Sequence, residues 1–228
     1  RYTSENVSMM PAIINTVTLT LMALILAVPI GVFSAVYLTE YAKKGNRLVR
    51  VVRTTTETLA GIPSIVYGLF GYLIFVIACK FQQSMLSGAL TLAIMILPTM
   101  MRTTEEALLA VPDSYREGSF GLGAGRLRTV FKVVLPSAVP GILSGIILSV
   151  GRIVGETAAL IYTSGTVAGI PKNILSSGRT LSVHMYALLS EGLYMEQAYA
   201  TAVVLLVMVL LINILSGFLA KKVSAKKG

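Results

Sequence analysis

Five stretches of this chain are long enough, and almost free enough of charge, to cross a hydrocarbon layer, and this limits its possible folds more than any other feature. Crossing about 30 Å takes about 20 residues at about 1.5 Å of helical rise each. The runs predict spans at 12–38, 58–79, 83–102, 134–163 and 198–220, with only Arg152 and Glu156 interrupting the fourth. Inside lipid the backbone must satisfy its own hydrogen bonds, so such runs fold as helices. Composition agrees, since 55% of residues are hydrophobic and 13% charged, with a mean hydropathy of +0.79, whereas soluble domains average about 25% charged residues. The expected fold is an all-α polytopic membrane protein. One helical domain at 12–220 would lie between a short segment at 1–11 and a basic tail at 221–228, since no repeat or linker divides it.

The formal net charge of +9 is read through its placement. Lys43, Lys44, Arg47, Arg50 and Arg53 fall between the first two spans, and Arg102, Arg116, Arg126, Arg128 and Lys132 between the third and fourth. Lys221, Lys222, Lys226 and Lys227 fall in the tail, while the opposite loops hold only Arg1, Lys80, Lys172 and Arg179. The positive-inside rule then predicts an external N-terminus and a cytoplasmic C-terminus. Nucleic acid is not an expected partner, because no basic cluster is interleaved with stacking aromatics and tryptophan is absent. A single cysteine, Cys79, excludes an intrachain disulfide framework, and the pairing of Cys79 with the lone His184 leaves no metal-site spacing. His184 is expected to be solvated or capping. The chain begins with Arg1, so a fragment or processed form is expected.

The loop before the fourth span carries a pattern of its own. Ser114 and Glu117 have capping-box spacing, which predicts a short helix starting near Asp113 and stopping at Gly121, Gly123 and Gly125. A second short helix is expected from Arg126 to about Val134, ending at Leu135-Pro136. The plain reading is an amphipathic segment resting on headgroups. Pro29, Pro63, Pro98 and Pro140 are expected to kink or interrupt the spans. The glycines at 121, 123 and 125 lack the lysine, the Ser/Thr and the preceding strand of a phosphate-cradling loop, so any nucleotide chemistry belongs to a separate subunit. Patterns for an intramembrane hydrolase are also missing.

Arg152 and Glu156 stand in an apolar span where each charge costs about 2.5–3.5 kcal/mol unless shielded or paired. On one helix they would be neighbours. Stepping back from Arg152 by helical spacing gives Ser149, Gly145 and Gly141, a stripe of small residues suited to close helix packing. Two readings stand: an ion pair that packs subunits together, or a station where a guanidinium fork holds a tetrahedral oxyanion while Glu156 takes its place between transport events. Arg102, at the end of the third span, reads either as a positive-inside anchor or as a second basic station.

The series Glu117-Gly118-Ser119, Gly123, Val133 and Leu135-Pro136 resembles the EAA loop of ABC importer permeases, with Gly118 and Ser119 in place of two alanines. Gly151-Arg152-Ile-Val-Gly155-Glu156-Thr157-Ala158-Ala159-Leu160 is similar to the phosphate-specific members, and to their PstA branch more than to PstC. So are Val111-Pro112-x-Ser114-Tyr115-Arg116-Glu117-Gly118 and the segments Asn15-Thr16-x-Thr18-Leu19 and Tyr37-Leu38-x-Glu40-Tyr41. The resemblance covers nearly the whole chain. It implies a type I ABC importer transmembrane domain, MetI-like, with a further span ahead of Arg1. It also implies a non-catalytic subunit of a prokaryotic cell membrane that imports inorganic phosphate and binds no cofactor, with ATP used by a paired ATP-binding cassette subunit. The other implied partners are a PstC-type permease and an external phosphate-binding protein. Ser114, Tyr115, Arg116, Glu117, Gly118, Gly123, Leu135 and Pro136 would couple to the ATPase, and Arg152, Glu156 and Arg102 would line the substrate path. Molybdate or sulfate permeases share the loop, and a channel or secondary transporter would leave it unexplained.

Overall fold

The structure, a computed structural model, describes residues 8–43, 45–192 and 194–225. Most of the expected outer N-terminal segment (1–7), Lys44, and the tail lysines Lys226 and Lys227 lie outside the described residues. Among the described residues, ten α-helices follow in order: α1 Met10–Val36, α2 Arg47–Ala60, α3 Ser64–Gly71, α4 Met85–Leu109, α5 Asp113–Gly121, α6 Arg126–Thr129, α7 Leu135–Val154, α8 Ala158–Thr163, α9 Leu181–Glu191 and α10 Met195–Ala225. Three π-helical turns extend or join them, Tyr37–Tyr41 after α1, Tyr72–Ala78 after α3 and Val130–Val134 between α6 and α7.

Among the described residues, four continuous helical stretches are long and apolar enough to cross a membrane: Met10–Tyr41, Met85–Leu109, Arg126–Val154 and Met195–Leu215. A fifth crossing exists only if a bent pair counts as one. Val49–Ala60 and Ser64–Ala78 meet at 105° across a short break, so the straight span expected at 58–79 is not formed. Pro63 explains the break, because it sits before α3 with φ −58° and ψ 140° and cannot continue a helix from Ala60. The basic stretch expected as a loop is instead largely α2, whose Val49 is buried while Arg47, Arg50 and Arg53 are exposed.

The other prolines leave their helices continuous. Pro29 lies inside α1, Pro98 inside α4 and Pro140 inside α7. The helix expected to end at Leu135-Pro136 runs on from Arg126 to Val154. A π turn at Val130–Val134 precedes Pro136, and its wider i→i+5 spacing accommodates a residue that has no N–H to offer. At α5 the expected capping box is not made, since Pro112 holds the N-cap position without a side-chain bond and Ser114 lies one residue inside the helix.

Packing centres on α4, which touches α1 and α7 most extensively. Leu19, Leu92, Met95, Ile96 and Leu160 are completely buried in one core, and Ala35, Leu108, Val130 and Val134 form a second beneath α5. Small residues make the close approaches possible. A β-carbon on Gly145 would stand 2.9 Å from Thr103 Cβ, and one on Gly68 would stand 2.7 Å from Ala159 Cα. Gly141 and Gly145 therefore turn the small-residue stripe of α7 onto α4. At the far rim, Asn15 Nδ2 donates to the carbonyls of Gly169 (2.9 Å) and Arg179 (3.1 Å), and Leu181 N–H donates to Thr16 Oγ1 at 2.8 Å. These bonds fasten the 164–180 segment to the start of α1. His184, expected to be solvated or capping, is fully buried, because α9 packs against α1 and α10 and turns that face inward.

Candidate functional site

Two helix interruptions meet at the centre of the bundle. The first is the bend before α3; the second separates α7 from α8, where Gly155 ends α7 and Glu156 and Thr157 lead into Ala158. The span expected to run unbroken over 134–163 is therefore two helices. Gly68 of α3 packs directly on α8, so the two breaks lie side by side. Tyr67, in the first turn of α3, donates its hydroxyl to the Leu59 carbonyl at 2.7 Å and so ties α3 back to α2 across the bend.

Arg152 lies in the last turn of α7 and is half-buried. Glu156 is 8% exposed. The expected helical pairing of these two residues does not occur, and among the described residues no ion pair joins them. The physical reason is the Gly155 stop, which takes Glu156 off the helix. Glu156 Oε1 instead accepts the Ala159 N–H at 3.0 Å, and its own carbonyl accepts the Ser182 hydroxyl at 2.6 Å. It caps α8 and binds α9, which leaves Arg152 without an acidic neighbour on its own helix.

Arg102 sits elsewhere, at the end of α4, with a side chain that is 69% exposed and Nε donating to Glu106 Oε1 at 3.0 Å. It lines a cavity of about 580 Å³ together with Arg53, Glu57, Glu105 and Glu106. Arg53 of α2 and Glu105 of α4 form an ion pair across that cavity. Three carboxylates and two guanidiniums line its wall, and both guanidiniums are engaged by glutamates.

The third feature is a projection. After the α4 terminus, α5 stands out from the bundle with Tyr115, Glu117, Gly118 and Phe120 exposed. The chain then reverses at Gly123, whose φ of 81° suits glycine, and Leu122 at that turn is 90% exposed. Arg116 faces inward instead. Its Nη2 donates to Glu40 Oε1 at 2.7 Å and to the Leu108 carbonyl at 2.9 Å, and its Nη1 donates to the Val111 carbonyl at 2.8 Å. The hydrogen bond to Glu40 raises the Arg116 pKa above the usual arginine value, and burial only partly opposes it. Ser119 and Thr129 share a hydroxyl contact of 2.8 Å, and the Arg126 guanidinium lies 5.3 Å from the Tyr41 ring centre. Leu135 and Pro136 lie in the helix that leads back into the bundle and do not project with α5.

Four residues of this site stand outside the sequence reading of function: Glu40, Arg53, Glu105 and Leu122. A carboxylate at the end of an apolar span is a signal for Glu40, and an exposed leucine between two glycines is one for Leu122. Nothing in the linear pattern pairs Arg53 with Glu105. Among the described residues, no group of three metal-ligating side chains comes together.

A helical bundle with apolar outer faces, helices broken at its centre and one projecting polar helix defines an integral membrane permease component. Residues 27–226 match the family described as "Binding-protein-dependent transport system inner membrane component". A probable ABC transporter permease protein, YqgI of Bacillus subtilis, is 34% identical over 228 residues, covering 93% of this chain and 77% of that protein. The phosphate transport system permease protein PstA of Yersinia pestis is 35% identical over 223 residues, covering 95% of this chain and 72% of that protein. PstA 1 of Mycobacterium tuberculosis reaches 46% identity over 143 residues, covering 63% of this chain and only 46% of that protein. Among solved structures, a chain of the inward-facing MetNI methionine ABC transporter superposes with a TM-score of 0.73 at 21% identity, covering 94% of this chain and 97% of that one. A chain of an amino acid ABC transporter gives a TM-score of 0.67 at 19% identity, covering 92% of each. The chain belongs to the binding-protein-dependent transport system inner membrane component family, and its fold is that of the type I ABC importer transmembrane domain.

Proposed function

We propose that this chain is one permease subunit of an ATP-driven importer of inorganic phosphate. The observation that carries the reading is the projecting α5–Gly123 turn, solvent-exposed on Glu117 and Leu122 yet clamped to α1 and α4 through Arg116, in a chain 35% identical to a phosphate permease along 95% of its length. A short rigid helix of this kind suits a groove on a motor subunit. The motor is a pair of ATP-binding cassette subunits, and this chain supplies no nucleotide chemistry. A PstC-type permease forms the other half of the passage, and an external phosphate-binding protein delivers the ion. The chain lies in a prokaryotic cell membrane with α5 and the C-terminus in the cytoplasm, as the placement of the basic residues favours.

Within the passage, Arg152 is the phosphate station. A guanidinium offers the fork of N–H donors that two oxygens of a tetrahedral anion accept, and broken helices are a recurring setting for ion sites within membranes. Glu156 holds the broken backbone in place and secondarily accepts a proton from hydrogen phosphate. Arg102 belongs to the cytoplasmic exit, where opening of its pair with Glu106 frees it for the departing ion.

The test is ATP-dependent uptake of radiolabelled phosphate into vesicles carrying this chain with the PstC-type permease, the ATP-binding subunit and the binding protein. Uptake that needs all components and exceeds that of sulfate and molybdate supports the reading. Preference for either of those ions, or uptake without ATP, overturns it.

A further inference from the structure

Glu40 lies in the π turn that ends α1, separated by 76 residues from the guanidinium it binds. Its carboxylate is engaged through both Nε and Nη2 of Arg116, with the side chains 9% and 16% exposed respectively. The remaining Arg116 donors reach the Leu108 and Val111 carbonyls and Asp113 Oδ1 (3.2 Å), so every N–H of the guanidinium has an acceptor. One of these acceptors is a carbonyl in the last turn of α4, and another, that of Val111, lies just beyond it. One guanidinium therefore ties α5 to two different spans, to the end of α4 through backbone and to the turn after α1 through the Glu40 carboxylate, beside the packing of α1 on α4. The Arg126 contact with Tyr41 reinforces the same junction from α6.

At its other end α1 carries Asn15 and Thr16, which hold the 164–181 segment by three hydrogen bonds to backbone. The whole of α1 is 27 residues, a rod of about 40 Å at 1.5 Å per residue. A displacement of α5 along the membrane normal has a stiff route through this rod to the opposite rim.

We propose that Glu40 is a positioning residue for transport: through Arg116 it makes α1 move with α5, so that motion received at the projecting helix is delivered to the first span and, along it, to the outer segment at Gly169 and Arg179. This rests on the reading of α5 as the helix that docks the ATP-binding subunit. Removing the carboxylate leaves α5 attached to α4, and the Tyr37–Tyr41 turn then follows α5 only through the packing of α1 on α4.

The test uses the assembled transporter bearing Glu40→Gln or Glu40→Asp. Glu40→Gln is expected to retain the ATP-binding subunit and its ATPase rate while phosphate carried per ATP hydrolysed falls about tenfold, a usual size for a coupling effect. Glu40→Asp, which keeps the charge, is expected to recover part of that ratio. An unchanged ratio in Glu40→Gln, or a loss shared equally by both variants, overturns the proposal. A second readout does not depend on the transported ion. Spin labels on Phe33→Cys and Asp113→Cys, in a Cys79→Ser background, should keep one separation with and without ATP in the wild-type chain and show two in Glu40→Gln. If the wild-type carries no phosphate but the separations behave this way, the substrate reading fails and the strut stands. If both chains show the same separations, the strut fails.

Discussion

Gly141 of α7 and Ala107 of α4 are so close that a β-carbon on the glycine would stand 2.6 Å from that of the alanine. Neither atom can turn away, because both are fixed to helix backbone. Gly141→Val should therefore force α4 and α7 apart at a cost of about 1–3 kcal/mol, the usual range for overpacking. Gly151→Ala is the internal contrast, since its nearest neighbour would be Asn213 Oδ1 at 3.7 Å. Thermal unfolding in detergent should show the first variant melting lower and the second at or above the wild type. Equal melting of all three would mean that the helices slide freely.

Replacing Arg152 with Gln should abolish phosphate uptake while membrane insertion and co-purification with the ATP-binding subunit persist. Arg152→Lys should restore little, because an ammonium cannot present the paired donors of a guanidinium. Vesicle uptake together with pull-down separates the two effects, and normal uptake in Arg152→Gln removes the station.

Glu156→Gln keeps an oxygen for the Ala159 N–H, whereas Glu156→Ala loses it. Loss of such a cap costs about 0.5–2 kcal/mol. The glutamine variant should thus melt like the wild type and the alanine variant below it. If phosphate-over-sulfate uptake is also unaltered by glutamine, the carboxylate is a cap only and takes no proton from the ion.

Leu122→Asp should leave the stability of this chain unchanged, because the side chain is 90% exposed and touches nothing that holds the bundle together. The same change should release the ATP-binding subunit in a pull-down. Retention of that subunit would move the docking surface away from the Gly123 turn.

Arg53 and Glu105 join α2 to α4 across the cavity that Arg102 lines. Arg53 is about half exposed, with 48% of its side chain accessible, so water screens the pair. A double-mutant cycle with Arg53→Gln and Glu105→Gln, read by thermal unfolding, should give a coupling of about 1 kcal/mol or less. A larger coupling would identify the pair as a main tie of α2.

The positions of α1, α4, α5 and α10 are legible in the sequence because each is bounded by charge, proline or glycine, and each runs unbroken between those bounds. The 105° bend before α3 is not, since hydropathy carries no information on the direction in which a helix runs. Placing Arg152 beside Glu156 by helical phase assumed that the helix passes through Gly155; it stops there, and the phase is lost. Glu40 was visible as a charge next to an apolar run, but its partner is separated from it by the whole of α2, α3 and α4. His184 reads as a surface residue because it lies outside the apolar runs, while the packing of α9 against α1 and α10 buries it.

The helical stretch Ser64–Ala78 begins only after the bend. At 1.5 Å per residue its length is about 22 Å, short of the roughly 30 Å of a hydrocarbon layer. A helix of that length does not cross such a layer by itself, so this part of the bundle closes it only together with α4 and α8, which pack against α3.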